Sequence, residues 1–553
     1  MASTEILIVM LVATSLAIFA ERHHMQAPLV LVLVGLVASF VPGVRVPQLD
    51  PETILAIVVP PLLYSAALDF SFFSFMKRIG SILNLSVALV VVTAGVVAWV
   101  AVSMMPSLTF AGALLLGAAI APPDAVSAVS IGREIGLPRR LMTIMKGESL
   151  LNDAAALSLF GVAAVLVTGG QEGTGSVAMT FVYASVGGAL VGVLLGRVVD
   201  KFRRRMDNPT LATTLAILVP FSAYALADRI DTSGVTAVVF AAFTLSHHSS
   251  DMGFAGRIQE REVWRVVSSL LEAFAFAFMG LQLRSLVISA HRDGSNMMEL
   301  AIIAAVLLVV VIVVRFVWIG LTTTLARWRI ALYHRIYSER YKSKHAGRVP
   351  AEALTWGENL VLSWSGMRGV VTLAAAASTP LVTMSGQPVA GRSAIVLVAF
   401  TVAVATLLLQ GMTLPWLVRR MHLPRPDAPT LKNHHGHARN VMRSATKESL
   451  AKLRAEGTAE SAIVFAEGFM ARTGRLARET TDEIADNAMP VADRAEMADV
   501  VRTILAAQRQ ALIVERDSQR LDDEVLREVL EGIDLEQALL AQKVAAAKAR
   551  ASL

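Results

Sequence analysis

Thirteen apolar stretches follow one another along most of this chain, each near the ~20 residues that a helix needs to cross the hydrocarbon of a bilayer. They fall at about 4–20, 27–43, 52–69, 80–103, 109–131, 141–168, 174–196, 210–227, 233–249, 264–287, 298–326, 353–379 and 393–418. Backbone immersed in lipid must satisfy its own hydrogen bonds, which leaves helices and closed barrels as spanning structures. Stretches of this length select the helix. The expected fold is therefore an all-α polytopic membrane protein of about thirteen spans. The 55% hydrophobic and 17% charged content fits it, since soluble domains run near ~45–50% and ~25%.

Loop charge sets the orientation. One set of loops carries twenty-one Lys and Arg, from Arg22 through Lys77, Arg78, Arg133 and Arg197 to the run between Arg327 and Arg348. The alternate set carries five: Arg45, Arg229, Arg284, Arg292 and Arg392. The richer side is cytoplasmic, which puts the N-terminus outside and the tail from about Met421 inside. Met1–Ala20 has no basic leading segment, so it reads as a first span and not as a cleaved leader. The net charge of +6 belongs to those loops and does not call for a nucleic-acid partner. With no cysteine in the chain, disulfide and thiolate chemistry are excluded.

The expected domains are a transmembrane unit, 1–422, and a cytoplasmic tail, 423–553. In the tail, Leu521, Val525, Leu526, Val529 and Leu530 recur at helical spacing, so it should form packed amphipathic helices. His434, His435 and His437 are candidates for a metal or pH-sensing cluster. With no carboxylate or thiol near them in sequence, the expectation is a solvated linker.

Polar groups inside the apolar stretches point to chemistry. A charge at the bilayer centre costs roughly 2.5–3.5 kcal/mol on insertion scales, so such groups are either used or paired. Pro122 and Pro123 remove two backbone donors and should break span 5 beside Asp124. Broken helices at membrane depth commonly line a cavity and bind ions. Glu148, Ser149, Asn152 and Asp153 lie on span 6, and spacings of three and four residues place Ser149, Asn152 and Asp153 on one face. Three oxygen-bearing groups there suit a dehydrated monovalent cation, and a carboxylate can trade that cation for a proton. Asp153 is the expected carrier.

Span 12 is interrupted too, at Ser363-Trp364-Ser365-Gly366-Met367-Arg368-Gly369. With spans 1–6 and 8–13 as two repeats around span 7, spans 5 and 12 are each fifth in their half. Matching interruptions of this kind mark an inverted-repeat transporter with its site at the midplane. Arg368 needs a counter-charge at that depth. Glu148 is the expected partner, because pairing with Asp124 or Asp153 would compete with the cation. Arg315 in span 11 either lines a cavity or pairs structurally. Glu358 and Asn359 either line a cytoplasmic funnel or play no part in transport.

The stretches PPDAVSA, GESLLNDAAALSLF and SGMRGVVTLA, with PPLLYSAALDF at Pro60–Phe70 and EAFAFAFMGLQLR at Glu272–Arg284, occur in order. Together they resemble the sodium/proton exchanger family of monovalent cation–proton antiporters, in its bacterial form. The resemblance covers about residues 1–420. It implies thirteen helices, a homodimer, and crossed discontinuous helices 5 and 12. It also implies that Asp153 carries the ion with Asp124, Ser149 and Asn152 nearby, and that Glu148 pairs with Arg368. In this family an asparagine before the essential aspartate goes with electroneutral exchange, so Asn152 implies one cation per proton. Two positions depart from the family pattern. Pro123 stands where threonine is frequent, leaving only its carbonyl as a ligand. Ser65 stands where many relatives carry a carboxylate, with Asp69, one turn on, as a possible substitute.

The expected function is thus secondary exchange of Na⁺ (or Li⁺ or K⁺) for H⁺ in a bacterial cell membrane, without cofactors. A cation channel would need a continuous pore and no coupling. A K⁺/H⁺ exchanger regulated by its tail is a further alternative. An intramembrane hydrolase is disfavoured, because the spans hold no histidine–glutamate metal motif and no nucleophile elbow.

Overall fold

The computed structural model describes residues 2–42, 51–68, 70, 72–169, 174–206, 208–247, 253–336, 354–423, 428–473, 491–518, 521 and 523–551. These divide into two units. The first holds residues 1–207, 211–249 and 262–425, and the second holds 208–210, 250–261 and 426–553.

In the first unit the apolar stretches are helical. They are α1 (Ala2–Arg22), α2 (Ala27–Ser39), α3 (Pro51–Ile57) with α4 (Val59–Leu68), and α5 (Phe72–Leu83) running through a π turn into α6 (Leu89–Met104). Next come α7 (Phe110–Ile120) and α8 (Ala125–Ile135), then α9 (Arg139–Thr168), α10 (Thr174–Arg203), α11 (Pro209–Asp228) and α12 (Gly234–His247). The series ends with α13 (Phe254–Leu281) and α14 (Leu283–Arg292), α15 (Met297–Ile336), α16 (Trp356–Trp364) and α17 (Val370–Ala377), and α18 (Arg392–Met421). Eight helices among the described residues are long and apolar enough to cross a bilayer unaided. The two expected interruptions are present, as α7/α8 and as α16/α17.

Several limits run past the hydropathy reading, and two spans differ most. The tenth span is longer than 264–287, because α13 and α14 together cover 254–292. The eleventh continues well past 326, since Arg327 and Arg329 extend the helix beyond the apolar run without breaking it.

Packing fixes the broken helices from three sides. α7 packs on α6 and α9, with Ala113, Leu116 and Ile120 buried against Ala94, Val97 and Ala156. α17 and α18 pack together through Ala375, Ala376, Val398 and Val402. α8 and α16 close against α9 and α18 through Ala128, Ile131, Val361, Met367 and Leu407.

The second unit contains α19 (Ala428–Ala455), α20 (Glu460–Thr473), α21 (Val491–Asp517) and α22 (Asp523–Ala551), along with the first turns of α13. Ile463, Val501, Ile504, Leu505, Leu512 and Val525 form its core, as the helical spacing predicts. Asp534 is buried and takes hydrogen bonds from Arg257 (Nη2, 2.5 Å; Nε, 3.0 Å) and from Arg509. Burial and the neighbouring Arg257 push Arg509 down to about 10, still charged at neutral pH. The histidines do not lie in a solvated linker as expected. They belong to α19, and carboxylates remote in sequence meet two of them: His437 Nε2 is 2.9 Å from Glu515, and His435 Nε2 is 3.6 Å from Glu528. No group of three metal-ligating side chains occurs among the described residues.

Candidate functional site

The two interruptions meet. Pro122 and Pro123 stop α7, and Asp124 then stands at the N-cap of α8, where a carboxylate is a favoured acceptor. Its Oδ2 takes the Ser127 hydroxyl at 2.7 Å and, more distantly, the Ser127 N–H at 3.4 Å. The Asp124 N–H donates across to the Met367 carbonyl at 2.5 Å, inside the second interruption. The Asp124 carboxylate also lies against Gly369, the N-cap residue of α17. A Cβ on Gly369 would sit 2.6 Å from Asp124 Cγ, so this approach requires glycine. One carboxylate thus stands at the N-terminal ends of two half-helices, where the helix dipole favours negative charge.

Arg368 occupies the opposite ends. Its Nε donates to the carbonyl of Ile120, the last residue of α7, at 3.0 Å, and its Nη1 donates to Gly366 O, just beyond α16. Its backbone N–H donates to Thr406 Oγ1 at 3.0 Å. The guanidinium is 2% exposed as a residue and is held by carbonyls at helix C-termini, where positive charge is favoured.

This corrects the expected pairing of Glu148 with Arg368. Glu148 pairs instead with Arg315 of α15, through Nη1–Oε1 at 2.5 Å and Nη2–Oε2 at 2.9 Å. Both residues are buried. Arg315 also donates from Nε and Nη2 to Leu362 O, at 3.2 and 3.1 Å. Its side chain lies over Gly366, where a Cβ would come within 2.5 Å of Arg315 Cδ. The physical reason for the correction is that helix-end carbonyls already satisfy Arg368. Arg315, on a continuous helix with no spare carbonyls of its own, takes the carboxylate.

Pro123, Asp124, Met145, Glu148, Ser149, Asn152, Arg315 and Ser365 line a small cavity at this crossing. Asn152 is fully buried, and its Nδ2 donates to the Pro123 carbonyl at 2.5 Å. That hydrogen bond ties α9 to the first break and occupies the carbonyl proposed as a ligand. Ser149 gives its hydroxyl hydrogen to Lys146 O at 2.9 Å, which leaves its oxygen lone pairs toward the cavity. Asp153 is half-buried, and its N–H donates to Asn152 Oδ1 at 2.6 Å. It does not line the cavity. It stands beside Ser149 on the helical wheel, on the side away from Asn152.

The accessory residues behave differently. Ser65 accepts from Ser268 of α13 at 2.7 Å and donates to Leu62 O, and it is not part of the cavity lining. Asp69 lies outside the described residues. Glu358 forms a capping box with Thr355 at the start of α16, and Asn359 accepts from Thr323 at 3.0 Å. The residue that the sequence left undecided, Arg315, proves central. Its signal was its own presence as a lone charge inside the apolar run of span 11.

The family model for the sodium/hydrogen exchanger transmembrane region matches residues 6–420. The chain belongs to the sodium/hydrogen exchanger family. This exchanger-family chain is 31% identical over 546 residues to an uncharacterized Na⁺/H⁺ exchanger of Mycobacterium tuberculosis, covering 97% of this chain and 96% of that one. It is 28% identical to a sodium, potassium, lithium and rubidium/H⁺ antiporter of Bacillus pumilus, over 79% of this chain and 64% of the relative. The sodium proton antiporter MjNhaP1 from Methanocaldococcus jannaschii superposes with a TM-score of 0.57 at 16% identity, covering 74% of this chain and 99% of that one. That likeness shows the antiporter fold. The exchanger family is one of integral membrane antiporters of cations and protons.

Proposed function

We propose that this exchanger moves one monovalent cation, Na⁺ in the first place, against one proton, by alternating access at the crossing of the two broken helices. The observation that carries this reading is the Asp124 carboxylate at the start of two half-helices, beside a cavity lined by the oxygens of Ser149 and Asn152. Asp153 is the carrier in this account. Proton and cation compete for its carboxylate, and Ser149 links it to the cavity. The Glu148–Arg315 pair and Arg368 stay ionised throughout and hold the frame.

Asn152 is neutral and is committed to a backbone carbonyl, so only Asp153 changes occupant while Asp124 stays charged. The loaded site then carries the same charge with either occupant. A membrane potential acts at about 2.3 kcal/mol per net charge per 100 mV and has no hold on such a cycle. The chain works as a homodimer in a bacterial cell membrane, its N-terminus outside as the loop charges require.

Purified protein in liposomes tests the proposal. An imposed Na⁺ gradient should drive proton flux to the same end point with and without a valinomycin-clamped potential. An end point that moves with voltage refutes the electroneutral stoichiometry, and proton flux indifferent to every cation gradient refutes exchange. The name of the Bacillus relative makes Li⁺, K⁺ and Rb⁺ the necessary comparisons in the same vesicles.

A further inference from the structure

Gln410 lies on the face of α18 that meets the second interruption. Thr406, one turn before it, accepts the Arg368 N–H, and Thr413, three residues after it, accepts Trp364 Nε1 at 2.8 Å. Gly411 packs on the Met367 sulfur and on Leu29. The unwound stretch therefore touches α18 on both sides of Gln410. Leu407 and Leu414, its neighbours one turn away in each direction, are fully buried. Gln410 itself is fully buried, and among the described residues neither its amide oxygen nor its amide nitrogen has a hydrogen-bond partner.

A buried amide without partners loses its hydration and gains nothing for it, and in a protein core such an exception calls for an explanation. Simple filling does not explain it, because an apolar side chain of the same length would serve at lower cost. The amide offers one acceptor and two donors, the groups that complement a peptide unit. Thr406 and Thr413 bring that face of α18 against the interruption, whose backbone groups have partners that belong to the ion site. Met367 O accepts from Asp124, Gly366 O from the Arg368 guanidinium, and the Arg368 N–H donates to Thr406.

We propose that Gln410 is a positioning residue for exchange. It is a reserve hydrogen-bond partner for the second interruption, taking up the Met367 carbonyl when the Asp124 N–H releases it as the occupant of the site changes. The proposal rests on the antiport reading and adds a residue outside the cavity to it. Gln410 touches neither ion. It lowers the barrier between the two loaded forms by keeping the freed backbone group hydrogen-bonded.

Gln410→Met keeps the length and removes the polar atoms. Full-length wild type and variant are compared in detergent for melting temperature, and in liposomes for Na⁺-driven exchange at equal reconstituted amounts. The expected result is a melting temperature equal to or above wild type, because an unpartnered amide is gone. Turnover should fall about tenfold, while the Na⁺ concentration for half-maximal rate stays within about twofold, ~0.4 kcal/mol. A variant that melts below wild type overturns the proposal, since the amide would then be engaged already. Unchanged turnover overturns it as well, as does a loss of turnover matched by a loss of apparent affinity. Wild type is the control for the reading beneath: if it exchanges no cation, the antiport proposal fails independently of Gln410.

Discussion

The ion pair between Glu148 and Arg315 sets a quantitative test, because the sequence pointed to a different partner. Glu148→Gln leaves the Arg315 guanidinium buried without its counter-ion, and Arg315→Met leaves the Glu148 carboxylate so. Breaking a buried pair from one side costs roughly 3–5 kcal/mol. The two charge-assisted hydrogen bonds, at 2.5 and 2.9 Å, would each contribute roughly 1.5–3 kcal/mol. The Leu362 carbonyl keeps the Ser365 hydroxyl at 3.0 Å when Arg315 is removed, so its loss adds little. The double variant leaves neither charge exposed to apolar surroundings. It should recover about 3 kcal/mol relative to the sum of the singles. Thermal melting of the four proteins, full-length and in one detergent, reads this coupling. The same cycle on Glu148 and Arg368 should give clearly less, since carbonyls hold Arg368. Coupling absent from the first cycle, or larger in the second, refutes the assignment.

Three further outcomes follow from the same geometry. Asp153→Asn should abolish exchange at wild-type abundance in the membrane, and exchange at the wild-type rate would remove Asp153 as carrier. Gly369→Ala drives a methyl group against the Asp124 carboxylate, so apparent Na⁺ affinity should weaken by about tenfold or more, ~1.4 kcal/mol. Gly80→Ala, where an added Cβ meets nothing within 4 Å, is the control, and equal affinities in the two variants would contradict the close approach. In the tail, burial raises the Glu536 carboxyl above its ordinary 4.5. The folded chain then keeps that proton to higher pH than the unfolded chain does, so Glu536 costs stability as pH rises past 4.5. Glu536→Gln should melt higher than wild type at pH 7 and equal to it below pH 4.5. A difference that does not change with pH would discount the burial.

What the sequence disclosed tracks how local each cause is. A bilayer demands a run of apolar residues in one place, so the spans could be read directly, and the two breaks could be read from Pro122-Pro123 and from the glycines around Arg368. Helical spacing put Ser149, Asn152 and Asp153 on one face, and of these Ser149 and Asn152 line the cavity while Asp153 does not. Partnerships were harder to read. Glu148 and Arg315 are 167 positions apart, and nothing near either names the other. Arg368 drew the expected pairing because its flanking glycines made it conspicuous. That carbonyls at two helix ends could stand in for a carboxylate depends on how those ends converge, which no local pattern encodes. The histidines of α19 failed in the same way, since Glu515 lies 78 positions from His437.

The reciprocal stitching of the two breaks has a consequence for how the chain comes into being. Asp124 waits for the carbonyl of Met367, and the carbonyl of Ile120 waits for Arg368, 248 positions later. A ribosome releases the first break long before the second exists. Through that interval the polar end of α7 and the start of α8 have only water, lipid headgroups or the insertion machinery to meet them. The early half of the protein is thus a provisional insertion, completed when span 12 arrives. Chains truncated before it should be recognised as unfinished by quality control, although most of the long apolar helices precede it. The same logic suggests that two halves made separately should find each other in the bilayer, since each carries the groups the other lacks.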